Sequence, residues 1–171
     1  MAAADDLLAK LRALLGADVL DVHTHRGDAT ILVAVDRARE CLQRLRDDPG
    51  LAFNVLVDLT AVDYLGREPR FEVVYHLASL ELAPPGGGFS GIRHRLRVKC
   101  GVPSQKVEAD SVVALWDAAN WYEREVWDLY GIHFRGHPDL RRIMLYDEFQ
   151  GHPLRKDYPK ERRQPLIGPR N

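Results

Sequence analysis

The chain has 171 residues, 46% of them hydrophobic, and a formal net charge of −1 from 24 basic and 25 acidic side chains. That length buries one sizeable core without staples, and the balanced charge argues against a general polyanion binder, whose affinity needs a clear cationic excess. No apolar run reaches membrane-spanning length, the opening MAAADD lacks the basic start and apolar centre of a signal peptide, and Cys41 and Cys100 fall short of the four thiolates an iron–sulfur cluster normally needs.

Leu7, Leu8, Leu11, Leu14 and Leu15 recur at helical spacing after Asp5 and Asp6, with Gly16 as the stop. Residues 19–26 and 29–35 read as two strands joined by a tight turn at Gly27-Asp28. Asp36 is placed to cap a helix whose inward face is Ala38, Cys41, Leu42 and Leu45 and which ends at Asp47-Asp48-Pro49-Gly50. Three longer strands follow at 52–60, 70–80 and 92–100, the last two linked by Pro84-Pro85-Gly86-Gly87-Gly88. That glycine run leads back into a strand, so it is not a dinucleotide fingerprint. Along the third strand Leu96, Val98 and Cys100 alternate with Arg93, Arg95, Arg97 and Lys99, which gathers four cations on one face. A docking surface for an acidic partner or nucleic acid is one reading; a solvated face paired with acids such as Glu72 is the preferred one.

Asp110 or Ser111 can open a short helix through Trp116, and a second runs from about Ala119 to Tyr130 with Gly131 at its end. The order predicts an α+β fold, a mostly antiparallel sheet with helices packed on one face, over residues 1–135. Residues 136–171 are expected to form an extended C-terminal arm, which from Gly151 onward buries too little of itself to be ordered without a partner.

The densest stretch runs from Trp121 to Pro159. Glu123, Glu125 and Asp128 invite an acid–base reading, but Glu123 and Glu125 point apart on a helix and only Glu125 and Asp128 are neighbours. A structural role is preferred, with Arg124 and Arg141 or Arg142 as ion-pair partners that fix the tail on the helix. His133, His137 and His152 could suggest zinc, yet Gly131 and Pro138 break the helix that would converge the first two, and no cysteine or acid completes a set. Trp116, Trp121 and Trp127 with Tyr122, Tyr130, Tyr146 and Tyr158 add the aromatic-and-arginine character common in protein interfaces, although Trp121 reads more simply as helix-to-sheet packing.

Three ordered blocks are more specific than any of these features alone: Glu123-Arg124-Glu125 followed by Trp127-Asp128-Leu129-Tyr130-Gly131-Ile132, then Gly136-His137-Pro138-Asp139-Leu140-Arg141-Arg142-Ile143, then Gly151-His152-Pro153-Leu154-Arg155-Lys156-Asp157-Tyr158-Pro159. Together they resemble the signature of the 30-kDa-type subunit of proton-pumping NADH:quinone oxidoreductase, respiratory complex I. The resemblance implies a non-redox structural subunit of the hydrophilic arm, with no catalytic, cofactor or metal residues of its own. The parent complex would supply FMN, iron–sulfur clusters, NADH and quinone. Its implied partners are the quinone-site subunit and neighbouring iron–sulfur subunits of complex I, without nucleic acid and with membrane contact only through the complex. The implied location is peripheral, on the cytoplasmic side of the bacterial inner membrane. Glu123, Arg124, Glu125, Asp128, Gly131, His137, Pro138, Asp139, Arg141, Arg142, Tyr146, His152, Pro153, Leu154, Arg155, Lys156, Asp157 and Tyr158 are the implied interface residues. An equivalent subunit of a related membrane-bound hydrogenase or dehydrogenase, and an independent hydrolase using Glu125 and Asp128, are the alternatives.

Overall fold

Helix α1 (Ala2–Leu15) turns Leu7, Leu11 and Leu15 inward at four-residue spacing, and Gly16 follows it at φ 60°. Strands β1 (Val19–His23) and β2 (Thr30–Ala34) pair antiparallel, as expected. Their link is not a two-residue turn: Arg26 and Gly27 take φ of 57° and 85° in a 3-10 turn over His25–Gly27, so β1 stops at His23. Helix α2 (Ala38–Asp47) buries Ala38, Cys41, Leu42 and Leu45; its N-cap is Arg37 with no side-chain cap, so Asp36 does not take that role. At the far end the Asp48 carboxylate accepts the N–H groups of Gly50 and Leu51, both at 2.9 Å, while Phe53 N–H donates back to Leu45 O at 3.1 Å. This turn takes up residues expected to open a strand at 52, and β3 runs Val55–Asp63 instead.

The computed structural model describes residues 2–82, 89–161 and 163–164, so the Pro84–Gly88 loop and the end of the arm lie outside the described residues. With β4 (Phe71–Leu82) and β5 (Phe89–Val102), the main sheet has the order β1-β2-β5-β4-β3. Its β2–β5 pair is parallel, since α2 carries the chain to the far edge before β4 and β5 return. One face contributes Ile31, Val33, Phe71, Tyr75, Leu96 and Val98 to a core shared with α1, α2 and the last helix. On the other face the β5 cations meet acids: Lys99 lies 2.9 Å from Glu72, Arg97 3.8 Å from Asp28, and Arg93 4.0 Å from Glu81. Charge therefore meets charge along this face, partly covered at Lys99 and Glu72 and exposed at Arg93 and Glu81.

The helix expected through Trp116 is one turn, with Leu115 and Trp116 N–H both donating to Val112 O at 2.8 and 3.1 Å. Neighbouring strands explain why. β6 (Glu108–Asp110) and β7 (His133–Arg135) form a second, parallel two-stranded sheet that the sequence reading did not anticipate, and Ser111 N–H donates to Arg135 O at 2.9 Å. Helix α3 (Ala119–Tyr130) lies between these strands in the chain.

Candidate functional site

Helix α3 has two specified faces. Ala119, Glu123 and Val126 turn to the core, while Arg124 and Asp128, four residues apart, form a buried stripe beneath the segment that follows. Asp128 has no exposure at all. Its Oδ2 accepts the backbone N–H groups of Ile143, Met144 and Leu145 at 3.0, 2.9 and 2.9 Å, and its Oδ1 takes the Arg142 guanidinium. Burial alone would raise its pKa, but the three N–H donors and Arg142 outweigh that and hold the carboxyl below its ordinary value. Arg142 then donates to Phe149 O at 2.8 Å and lies over the rings of Trp127 and Phe149. Arg124 donates to the carbonyls of Arg141 and Arg142 at 3.2 and 3.3 Å. It therefore fixes the arm through backbone rather than through an ion pair, while Arg141 is exposed and pairs with Asp139 at 2.9 Å.

A second contact closes the C-terminal end of α3, where the last carbonyls of any helix lack intrahelical donors. His152 Nδ1 donates to Asp128 O at 2.9 Å, Leu154 N–H to Leu129 O at 3.0 Å, and Arg155 to the carbonyls of Tyr130 and Gly131. A cation there also suits the negative end of the helix dipole. Gly131 takes φ 73°, and a Cβ on it would stand 2.5 Å from the His152 ring and 2.6 Å from the Arg155 guanidinium, so no other residue fits this close approach. Burial pulls the His152 pKa down, with the Asp128 carbonyl opposing it.

The third contact joins the arm to the sheet. Asp63, almost wholly buried at the end of β3, receives Arg70 through two bonds of 2.9 and 2.8 Å and the Lys156 N–H at 2.8 Å. Arg70 also reaches Asp157 at 2.8 Å. Arg70 foremost, with Lys156 N–H, holds the Asp63 carboxyl below its usual range against the effect of burial. Farther out, Tyr146 meets Phe149 edge-to-face with ring centroids 5.5 Å apart, and Phe149 stacks on Tyr158 at 6.1 Å.

The implied interface residues thus fall into two groups. Arg124, Asp128, Gly131, Arg142, His152, Arg155 and Asp157, with the backbone of Lys156, build the seat, and His137 joins them by donating Nε2–H to Asn120 O at 3.1 Å while its Nδ1 accepts Asp139 N–H at 3.0 Å. Glu125, Pro138, Asp139, Arg141, Tyr146 and Leu154 face outward, and Pro153 and Tyr158 are half-buried. Glu123 belongs to neither group: it is wholly buried on the core side, where its Oε1 accepts Val112 N–H at 2.7 Å. Glu125 and Asp128 do not form a working pair, because one is exposed and the other is fully engaged by its donors. Two histidines of the suggested zinc set have a ring nitrogen on a backbone carbonyl, and among the described residues no group of three or more His, Cys, Asp or Glu could hold a metal ion.

Sequence reasoning missed Asp63 and Arg70, and it misplaced Trp121. That ring is 61% exposed on the outer side of α3, with Arg124 5.1 Å from its centroid, and Met144 on the adjoining arm is 62% exposed. The inward positions of α3 are 119, 123 and 126, so Trp121 cannot pack on the sheet.

Fold and site together define an α+β domain that carries a basic, aromatic strap bolted to its own last helix. The chain belongs to the family of the respiratory-chain NADH dehydrogenase 30 kDa subunit, whose model matches residues 31–164. It is 48% identical over 160 residues to the corresponding NADH-quinone oxidoreductase subunit of Geobacter metallireducens, a match spanning 93% of this chain and 91% of that one. A solved trypsin-resistant fragment (1-134) of Nqo5 superposes with a TM-score of 0.62 at 33% identity, over 81% of this chain and 99% of the fragment. A chain of an archaeal membrane-bound sulfane sulfur reductase shares the fold, with a TM-score of 0.69 at 22% identity, over 92% of this chain and 86% of its own.

Proposed function

We propose that this chain acts as a structural, non-redox subunit of the hydrophilic arm of NADH:quinone oxidoreductase, and that the surface built by its strap is what the neighbouring subunits grip. Family membership makes it a subunit of that multi-subunit enzyme. The seat of Asp128 carries the rest of the reading: a fully buried carboxylate engaged by three backbone N–H groups and an arginine holds shape and leaves no free lone pair aimed at a substrate. The protein then supports electron transfer from NADH to quinone, coupled to proton translocation, while FMN, the iron–sulfur clusters, NADH and quinone sit on other subunits.

In this reading residues 1–135 are the folded unit and 136–171 the arm. The outward residues Glu125, Asp139, Arg141, Tyr146 and Leu154, joined by exposed Trp121 and Met144, meet the quinone-site subunit and its iron–sulfur neighbours. Aromatic and arginine anchors beside apolar side chains suit such an interface. Kinship with bacterial subunits of this enzyme favours a peripheral place on the cytoplasmic side of a bacterial inner membrane; no helix among the described residues is long and apolar enough to cross a membrane. The test is purification of the tagged full chain from native membranes in mild detergent. Recovery with flavin, iron–sulfur and membrane subunits and with NADH:quinone activity is expected; a chain recovered alone, or with assembly intact after truncation at Gly136, would overturn the proposal.

A further inference from the structure

Glu123 and Asp128 lie on one helix and are equally inaccessible to solvent, yet their surroundings are opposite. Asp128 has a guanidinium and three N–H donors. Glu123 has one strong contact, Val112 N–H at 2.7 Å, and its Oε2 is buried with no hydrogen-bond partner. The groups that face it are poor counter-charges. Arg39 on α2 acts only at a distance, Ser111 at the end of β6 offers a neutral hydroxyl, and Tyr75 on β4 presents a buried hydroxyl whose neighbour is the Cys100 thiol on β5. A lone carboxylate in such a place is costly, whereas a neutral acid is not, and it brings an O–H that can turn toward a neighbouring oxygen.

We propose that Glu123 is a proton-carrying pin: as the neutral acid it lets the turn at Val112 pack dry against α3, and on ionising, although Val112 N–H grips the anion more strongly, the uncompensated buried charge destabilises that packing. The turn lies beside the point from which the strap departs. Ser111 N–H holds Arg135 O at 2.9 Å, and the β6–β7 pair ends at Asp110 and Arg135, one residue before the arm begins at Gly136. The proton on Glu123 therefore acts beside the start of the strap from the core side, while Asp128 holds residues 143–145 from the outer side. Burial pushes the Glu123 pKa up to about 7, against the opposing effects of Val112 N–H, Ser111 and Arg39, so the pin changes state near neutral pH.

The sign follows from the raised value. The folded chain binds this proton more tightly than the unfolded chain, so the contribution of Glu123 to stability is complete below its ordinary value of 4.5 and is lost as pH rises through about 7. The experiment is a carbon-13 titration of the glutamate side-chain carboxyls in the full-length chain, run beside thermal unfolding of the chain and of Glu123→Gln from pH 5 to 8. One buried carboxyl should titrate near 7, with the Val112 amide shift following the same midpoint, and about a tenth of the protons should remain at pH 8. The unfolding temperature of the native chain should fall relative to Glu123→Gln across that window. A Glu123 carboxyl titrating near 4.5, or an equal pH slope in both proteins, would overturn the proposal. Should Glu123→Gln fail to fold, the titration of the native chain, assigned through its own side-chain correlations, decides alone.

Discussion

The arginines of β5 and the arginines of the strap are equally conspicuous, and they do different things. On β5 the cations meet acids side chain to side chain, exposed where Arg93 meets Glu81, and partly covered where Lys99 meets Glu72 and Arg97 the loop residue Asp28. In the strap, Arg142 and Arg155, with Arg124 from α3, bind backbone carbonyls, and Arg142 the Asp128 carboxylate as well, where water is largely excluded. Exposed ion pairs contribute little because each partner exchanges one set of good solvent contacts for another. A buried peptide group has no such alternative, so an arginine or aspartate that satisfies it decides where the chain runs. The difference lies in what the charge is bonded to, not in how much charge there is.

The contrast is sharpest at Asp128. Asp128→Ala would leave three N–H groups and a half-buried guanidinium without their acceptor, and a loss of about 3–5 kcal/mol is expected. Urea unfolding measures that loss, and limited trypsin digestion should show new cleavage in the strap. Next comes Asp63→Asn, which keeps the shape but removes the charge that Arg70 and Lys156 N–H address. A loss of about 1–3 kcal/mol is expected in the same unfolding series, with cleavage appearing near Lys156 rather than near Arg142. Lys99→Gln on β5 stands at the other end, and its unfolding midpoint should shift by less than about 1 kcal/mol.

Acid separates the two sides of α3. Asp128 and Asp63 are both held below their ordinary 3.8, so the stability they contribute is complete above that value and is lost only as pH falls through the depressed ones. The amide signals of Ile143–Leu145 should therefore stay unchanged from pH 7 to pH 5, while Val112 shifts over the upper part of that range. Loss of the strap signals at pH 5 would show that the carboxylates are weaker anchors than their donors imply.

The same division explains what the sequence disclosed. α1, α2 and α3 were legible because each buries one stripe at helical period, and the strand alternation of β4 and β5 because each has one dry face. The strap blocks were legible because residues that contact backbone at close range, such as Gly131, His152 and Arg155, are restricted in type. Long-range pairing was not. Asp63 and Asp157 share Arg70 although they lie far apart in the chain, and nothing local in either stretch marks the contact. The parallel β2–β5 pair and the β6–β7 sheet escaped for the same reason, since strand order is a property of the whole chain. The stretch from Gly151 onward was expected to need a partner; in the structure His152 already bonds the Asp128 carbonyl and Lys156 N–H the Asp63 carboxylate.

If the strap, seated by Asp128, is what carries this protein into its complex, weakening the seat must cost the assembly. The direct measurement is NADH:quinone activity and assembled complex in membranes of cells whose only copy of the chain bears Asp128→Asn, beside cells bearing Lys99→Gln. The seat predicts that Asp128→Asn lowers assembled enzyme at least several-fold while Lys99→Gln leaves it unchanged. Full assembly and activity with Asp128→Asn would contradict it.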